Sequence, residues 1–255
     1  MDQNGSPARA HRIGMIVPSS NTCLEPVTSR ILDTTGGIAT AHFARVPVTR
    51  IALDADADAQ FGTDSMVAAA ELLADAHVDV IAWNGTSGSW LGPDRDRALC
   101  DTLEQHTGVP ATTSTLAMLV ACRAYGVTRL GLAVPYTEDV TARIAAQYAR
   151  QGVHCTATDA LGISDNDTFA RIPAARVAAQ LAAVARPDDV QAAAVLCTNV
   201  YGAPLAAETE RQHGVPVLDS VTVTLWHALH MLDPGTALSG WGELLQHGSR
   251  RAAGL

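Results

Sequence analysis

Short apolar runs alternate with longer stretches of helical periodicity along this chain. The runs predict strands over residues 12–17, 38–46, 78–83, 111–113, 129–134, 153–156, 192–196 and 217–218. The longer stretches predict helices near 23–34, 62–76, 94–106, 115–125, 137–151, 173–185, 203–213 and 221–232. Such alternation implies an α/β fold with mainly parallel sheets. Their strands are apolar on both sides because helices cover both faces.

The pattern also repeats itself. Arg12-Ile13-Gly14-Met15-Ile16-Val17-Pro18 returns 117 residues later as Arg129-Leu130-Gly131-Leu132-Ala133-Val134-Pro135. Gly108-Val109-Pro110 returns 106 residues later as Gly214-Val215-Pro216, each copy followed by a serine, Ser114 or Ser220. An offset that shrinks along the chain is what a duplicated unit shows after losing loop residues, and it predicts two pseudo-symmetric lobes. The first lobe is expected over 12–116 with a return over 220–245, and the second over 117–219. Residues 1–11 and 246–255 read as polar, flexible tails.

Composition narrows the function classes. With 255 residues, 47% of them hydrophobic, the chain can bury a large core. A net charge of −9 offers no basic field for phosphates, which argues against nucleic acid as partner. No apolar run has the length of a membrane span, and the opening eleven residues lack the apolar stretch of a secretory leader. Five scattered cysteines (23, 100, 122, 155 and 197) suit a reduced cytoplasm better than a disulfide framework. There is no Gly-x-Gly-x-x-Gly after a strand, no Walker loop and no Gly-x-Ser-x-Gly. His227 and His230 sit at helical spacing without an acidic partner, so no metal site is expected. These absences point to a site without cofactor.

What remains lies at the strand ends, where open parallel sheets bind ligands. Pro18-Ser19-Ser20-Asn21-Thr22, Gly85-Thr86-Ser87-Gly88-Ser89 and Thr112-Thr113-Ser114-Thr115 end strands of the first lobe. Pro135-Tyr136-Thr137, Cys197-Thr198-Asn199 and Asp219-Ser220 end strands of the second. Each precedes a helix, so hydroxyls, amides and free backbone N–H groups could together hold one or two carboxylates. The duplication matches Gly85 with Cys197, 112 residues apart. One half has a thiol where the other has a bare glycine, so a proton could be delivered to one face of a carbon only. Cys23, at the start of a helix, could supply a second thiol, and His227 is the better placed of the two histidines.

These segments resemble the aspartate/glutamate racemase superfamily, in the branch of arylmalonate decarboxylases and maleate cis-trans isomerases, over nearly the whole chain from Arg12 to about Leu232. Pro18-Ser19-Ser20-Asn21-Thr22, Cys197-Thr198-Asn199 and Trp226-His227-Ala228-Leu229 are similar to isomerase motifs. Gly85-Thr86-Ser87, Thr112-Thr113-Ser114-Thr115, Tyr136 through Val140 and Leu161-Gly162-Ile163 with Ala170-Arg171 are similar to the decarboxylases. The resemblance implies two flavodoxin-like lobes with the site between them. It further implies catalytic roles for Cys197, Tyr136, Thr86 and Ser87, and substrate binding by Pro18, Ser19, Asn21, Gly85, Thr198 and Asn199. Glycine at position 85 matches the decarboxylases and removes the first thiol of the isomerases.

The expectation is therefore a cofactor-independent enzyme that decarboxylates a substituted malonate, with Cys197 protonating the resulting enediolate. Maleate isomerisation or amino-acid racemisation is the alternative, and a carboxylate-binding protein is the reading outside enzymes. The expected partner is a small dicarboxylate, with homo-oligomerisation left open. Trp90 and Ile163 are candidate walls for the leaving carboxylate, although aromatic residues make up only 4% of the chain.

Overall fold

The computed structural model describes residues 9–186 and 188–252. All eight expected strands form: β1 (His11–Pro18), β2 (Ala39–Val46), β3 (Val80–Trp83), β4 (Ala111–Thr113), β5 (Arg129–Val134), β6 (His154–Ala160), β7 (Ala192–Val195) and β8 (Val217–Asp219). The helices are α1 (Leu24–Asp33), α2 (Ala55–Ala59), α3 (Thr63–Asp75), α4 (Gly88–Leu91), α5 (Pro93–Thr107), α6 (Ser114–Ala124), α7 (Glu138–Arg150), α8 (Asn166–Phe169), α9 (Ala174–Val184), α10 (Ala206–His213), α11 (Ser220–Leu232) and α12 (Glu243–Ala252). A short 3-10 turn, Ala203–Leu205, leads into α10.

The strands form two four-stranded parallel sheets ordered β2-β1-β3-β4 and β6-β5-β7-β8, so the repeat in sequence is a repeat in topology. Central strands β3 and β7 are wholly buried, whereas edge strand β6 alternates exposed and covered positions. That polar alternation is why the apolar pattern alone ends this strand four residues early. It continues to Ala160, with a register shift opposite Leu130 and Gly131.

The duplication persists in individual hydrogen bonds. The Arg12 amide donates to the Asp79 carboxylate at 2.7 Å, and the Arg129 amide to the Gln191 side-chain oxygen at 2.9 Å. The Ala111 amide donates to Glu104 at 2.8 Å, and the Val217 amide to Glu210 at 2.9 Å. Ser114 and Ser220 donate to the carbonyls of Trp83 and Val195, at 3.5 and 3.0 Å.

Three one-turn helices, α2, α4 and α8, escape the sequence reading because four or five residues cannot display a helical period. Residues 246–252, expected in a tail, continue α12, which is anchored by buried Leu244 and Leu245. Of the expected N-terminal tail, His11 already belongs to β1 and Arg9 pairs with Asp79, while residues 1–8 and 253–255 lie outside the described residues. Among the described residues no helix is long and apolar enough to cross a membrane.

Candidate active site

The central strands of both sheets deliver their carboxyl ends to one seam. Gly85 stands two residues beyond β3, Cys197 two beyond β7 and Tyr136 two beyond β5. Hydrogen bonds cross this seam repeatedly. Thr198 donates to the Asn84 carbonyl at 2.8 Å and accepts from the Asn21 amide group at 3.1 Å. The Asn199 side-chain oxygen accepts from the Thr22 and Cys23 backbone amides at 3.0 and 3.2 Å. Its amide nitrogen donates to the Asn166 carbonyl at 2.6 Å. Asn166 in turn donates to Ser20 at 2.7 Å. Asn84 and Asn166 are participants that the sequence reading missed. Asn84 takes part through its backbone carbonyl, which every residue has, so no residue type could have signalled it, whereas Asn166 takes part through both its carbonyl and its side-chain amide.

A strap closes the same seam from outside. The Ile51 amide donates to the Ser164 carbonyl at 3.0 Å and the Asn166 amide to the Thr49 carbonyl at 3.1 Å. Arg50 and Asp165 form an isolated antiparallel bridge. Ser19 and Ser20 donate to the Val48 carbonyl at 3.4 and 2.7 Å, so both expected hydroxyls anchor the strap from the first lobe.

Cys197 is buried under this closure. Burial pushes its thiol up to about 12, because a thiolate there would lose its hydration. Two donors oppose that effect: the Tyr136 hydroxyl, and the Asn199 amide at 3.4 Å from the sulfur. Tyr136 is itself buried and shares a 2.7 Å hydrogen bond with Thr86. The Tyr136 hydroxyl is held well above its ordinary range, chiefly by burial, so it stays a neutral donor. Ser87 is buried one residue on, at the head of α4. The structure thus brings Cys197, Tyr136 and Thr86 together without a charged side chain among them, whereas Ser87, next in the chain after Thr86, lines a pocket with Trp83 and Asp96.

Gly85 has no room for a side chain. A Cβ there would lie 2.8 Å from the Trp83 indole nitrogen and closer still to two of its ring carbons. Aromatic residues are scarce in this chain, yet four converge here. Phe61, Trp90, Tyr136 and Phe169 meet edge to face in a row, with centroids 6.1, 5.5 and 5.5 Å apart. Trp90 therefore backs Tyr136. Ile163 is half-buried, and its amide donates to the Pro135 carbonyl at 2.9 Å, fixing the loop that carries Tyr136.

Cys23 is fully buried at the start of α1. Burial first, then Asp219 and Cys197, push its thiol upward, so the helix terminus does not activate it. Asp219 caps α11 by accepting from the Val221 and Thr222 amides at 2.9 and 3.2 Å. Its second oxygen has no hydrogen-bond partner, and burial raises the carboxyl to about 7. His227 bonds Thr112 at 2.9 Å. Burial, aided by His230 and Arg123, lowers His227 to about 4. That places it among α6 and α11 neighbours, and none of its bonds reaches Cys197 or Tyr136.

Two like α/β lobes meet over a buried thiol and neutral hydrogen-bond donors. The family model for arylmalonate decarboxylase matches residues 13–245, and the chain belongs to that family. It is 32% identical to an arylmalonate decarboxylase of Bordetella bronchiseptica over 184 residues, which is 71% of this chain and 77% of that one. A maleate isomerase of Pseudomonas putida is 27% identical over 92% of this chain and 97% of its own. The crystal structure of maleate isomerase Iso from Pseudomonas putida S16 superimposes with a TM-score of 0.86 at 26% identity, covering 94% of this chain and 99% of that one.

Proposed function

We propose that the protein decarboxylates a substituted malonate without a cofactor. The observation that carries this reading is the buried thiol of Cys197, protonated and flanked by neutral donors, at a strand end whose matched position in the first lobe is Gly85. One carboxylate leaves as carbon dioxide when its bond to the α-carbon breaks. The electron pair then spreads over the remaining carboxylate as an enediolate. Thr86, Ser87 and Tyr136 are neutral donors suited to that charge, and fixed donors stabilise it without reorganising at the moment of reaction. Cys197 gives its proton to the carbanion carbon. The Tyr136 hydroxyl and Asn199 amide hold the transient thiolate until water returns a proton. Asn21, Thr198 and Asn199, with Pro18 and Ser19 at the end of β1, shape the carboxylate-binding end.

Cis-trans isomerisation of a maleate-type acid is the second reading, favoured by Cys23, whose titration responds to Cys197. Proton NMR in heavy water separates the two readings. Incubation with substituted malonates should yield a monoacid with one deuteron on the α-carbon, and Cys197→Ala should lose about a thousandfold in turnover while keeping its melting temperature. Conversion of maleate to fumarate with every malonate untouched would sink the decarboxylation reading.

A further inference from the structure

The two lobes differ at a pair of positions rather than at one. Beside the seam, the first lobe has Trp83 and Gly85 and the second has Val195 and Cys197, each pair related by 112 residues. Trp83 and Val195 are matched in structure as well, since their carbonyls accept from matched Ser114 and Ser220. A large residue followed by none thus faces a small residue followed by a thiol. The Trp83 ring is fully buried and occupies the volume that a side chain at position 85 would need. In the second lobe, Val195 turns its methyls toward Gly202, where a Cβ would lie only 2.8 Å away, and Cys197 keeps its own space.

We propose that Trp83 is the specificity-determining residue that confines proton delivery to the face of Cys197. It does so by filling the space from which the first lobe could address the opposite face. The proposal deepens the decarboxylation reading and rests on it for its chemical readout. A thiolate on the first lobe would take the α-proton of a chiral monoacid product. The electron pair would pass into the carboxylate as an enediolate, and the Cys197 thiol would protonate the other face. Configuration is inverted with no co-reactant, so the exchange balances. The present side-chain pair excludes this route. A cavity of about 130 Å³, lined by Phe61, Met66, Ser87 and Asp96, adjoins Trp83, and a ring that swung into it would free position 85.

Four proteins test the proposal: wild type, Gly85→Cys, Trp83→Val and the double variant, with Trp83→Leu in place of Trp83→Val if the smaller residue fails to fold. The first readout is melting temperature, which needs no activity. Gly85→Cys should lower it by roughly 5 °C or more in wild type, and should leave it unchanged or raise it once Trp83 is replaced. The second is exchange of the α-hydrogen of a single-enantiomer monoacid in heavy water. It should be about a hundredfold higher in the double variant than in Gly85→Cys alone. Equal exchange in the single and double variants, or an equal loss of melting temperature on both backgrounds, overturns the proposal. A wild-type protein that decarboxylates no malonate would instead overturn the underlying function, and the melting temperatures would still decide the role of Trp83.

Discussion

At the scale of single residues, the chemistry follows from how burial treats a thiol. Cys197 is raised because charge on its sulfur would be poorly solvated, so its acidic form persists through the neutral range and beyond. A group that must give a proton works best in that form, whereas a nucleophile would have to lose its proton first. Turnover of a malonate should therefore stay level from neutral pH to past pH 9, falling only as the thiol ionises near 12 or as the protein unfolds. A rate that climbed tenfold per pH unit across the neutral range would mean that the thiolate is the working species. The same profile recorded on Tyr136→Phe should bend at higher pH, because the thiolate loses one of its two donors.

At the scale of elements, matched glycines set how closely helices approach the sheets. A Cβ on Gly131 would strike the backbone carbonyl of Val184 at the end of α9, with the carbonyl carbon 3.0 Å away and the oxygen nearer. Backbone cannot rotate aside, so α9 would have to shift. Gly14 in β1 meets only side-chain atoms, the Val78 methyl at 3.0 Å and Leu73 carbons at 3.3 Å. Gly131→Ala should thus cost about 3 kcal/mol, or roughly 5–10 °C in melting temperature, and Gly14→Ala less than about 1 kcal/mol. Thermal melts of the two variants compare them directly, and equal losses would contradict the packing argument.

At the scale of the molecule, two buried carboxyls stand where acid favours the fold. Asp219 is raised to about 7 and Asp96 to about 6, in each case mainly by burial and against hydrogen bonds that pull the other way. Asp96 accepts from Thr113 at 2.5 Å, whereas one oxygen of Asp219 has no partner. A folded pKa above the unfolded one means stability is fully present below the unfolded value and is lost as pH rises through the folded value. The two carboxyls should therefore remove stability as pH rises from about 4 to about 7, each by at most about 1.4 kcal/mol per pH unit, against a gain from His227, whose lowered value favours the fold as pH rises from about 4. Asp219→Asn keeps an oxygen for capping α11 and removes the titration, so its loss from this source should be smaller. Urea unfolding at pH 4.5 and 7.5 measures this, and identical slopes for both proteins would refute it.

Much of this protein is legible without coordinates. The eight strands, the long helices and the doubled topology follow from apolar periodicity, which records which face of each element is buried. The contrast of Gly85 with Cys197 follows from the repeat itself. Tertiary structure decided what periodicity does not encode, namely which strand ends meet and what fills the space between them. Asn199 holding the first turn of α1 and the aromatic row depend on how one lobe is laid against the other, and Tyr136 beside Cys197 depends on how β5 and β7 pair within the second. Trp83 marks the boundary between the two kinds of knowledge. Its identity and its match to Val195 are in the sequence, but only packing shows its ring lying where a second thiol would have to be. Volume is shared between residues in three dimensions, and a linear pattern cannot say who holds it.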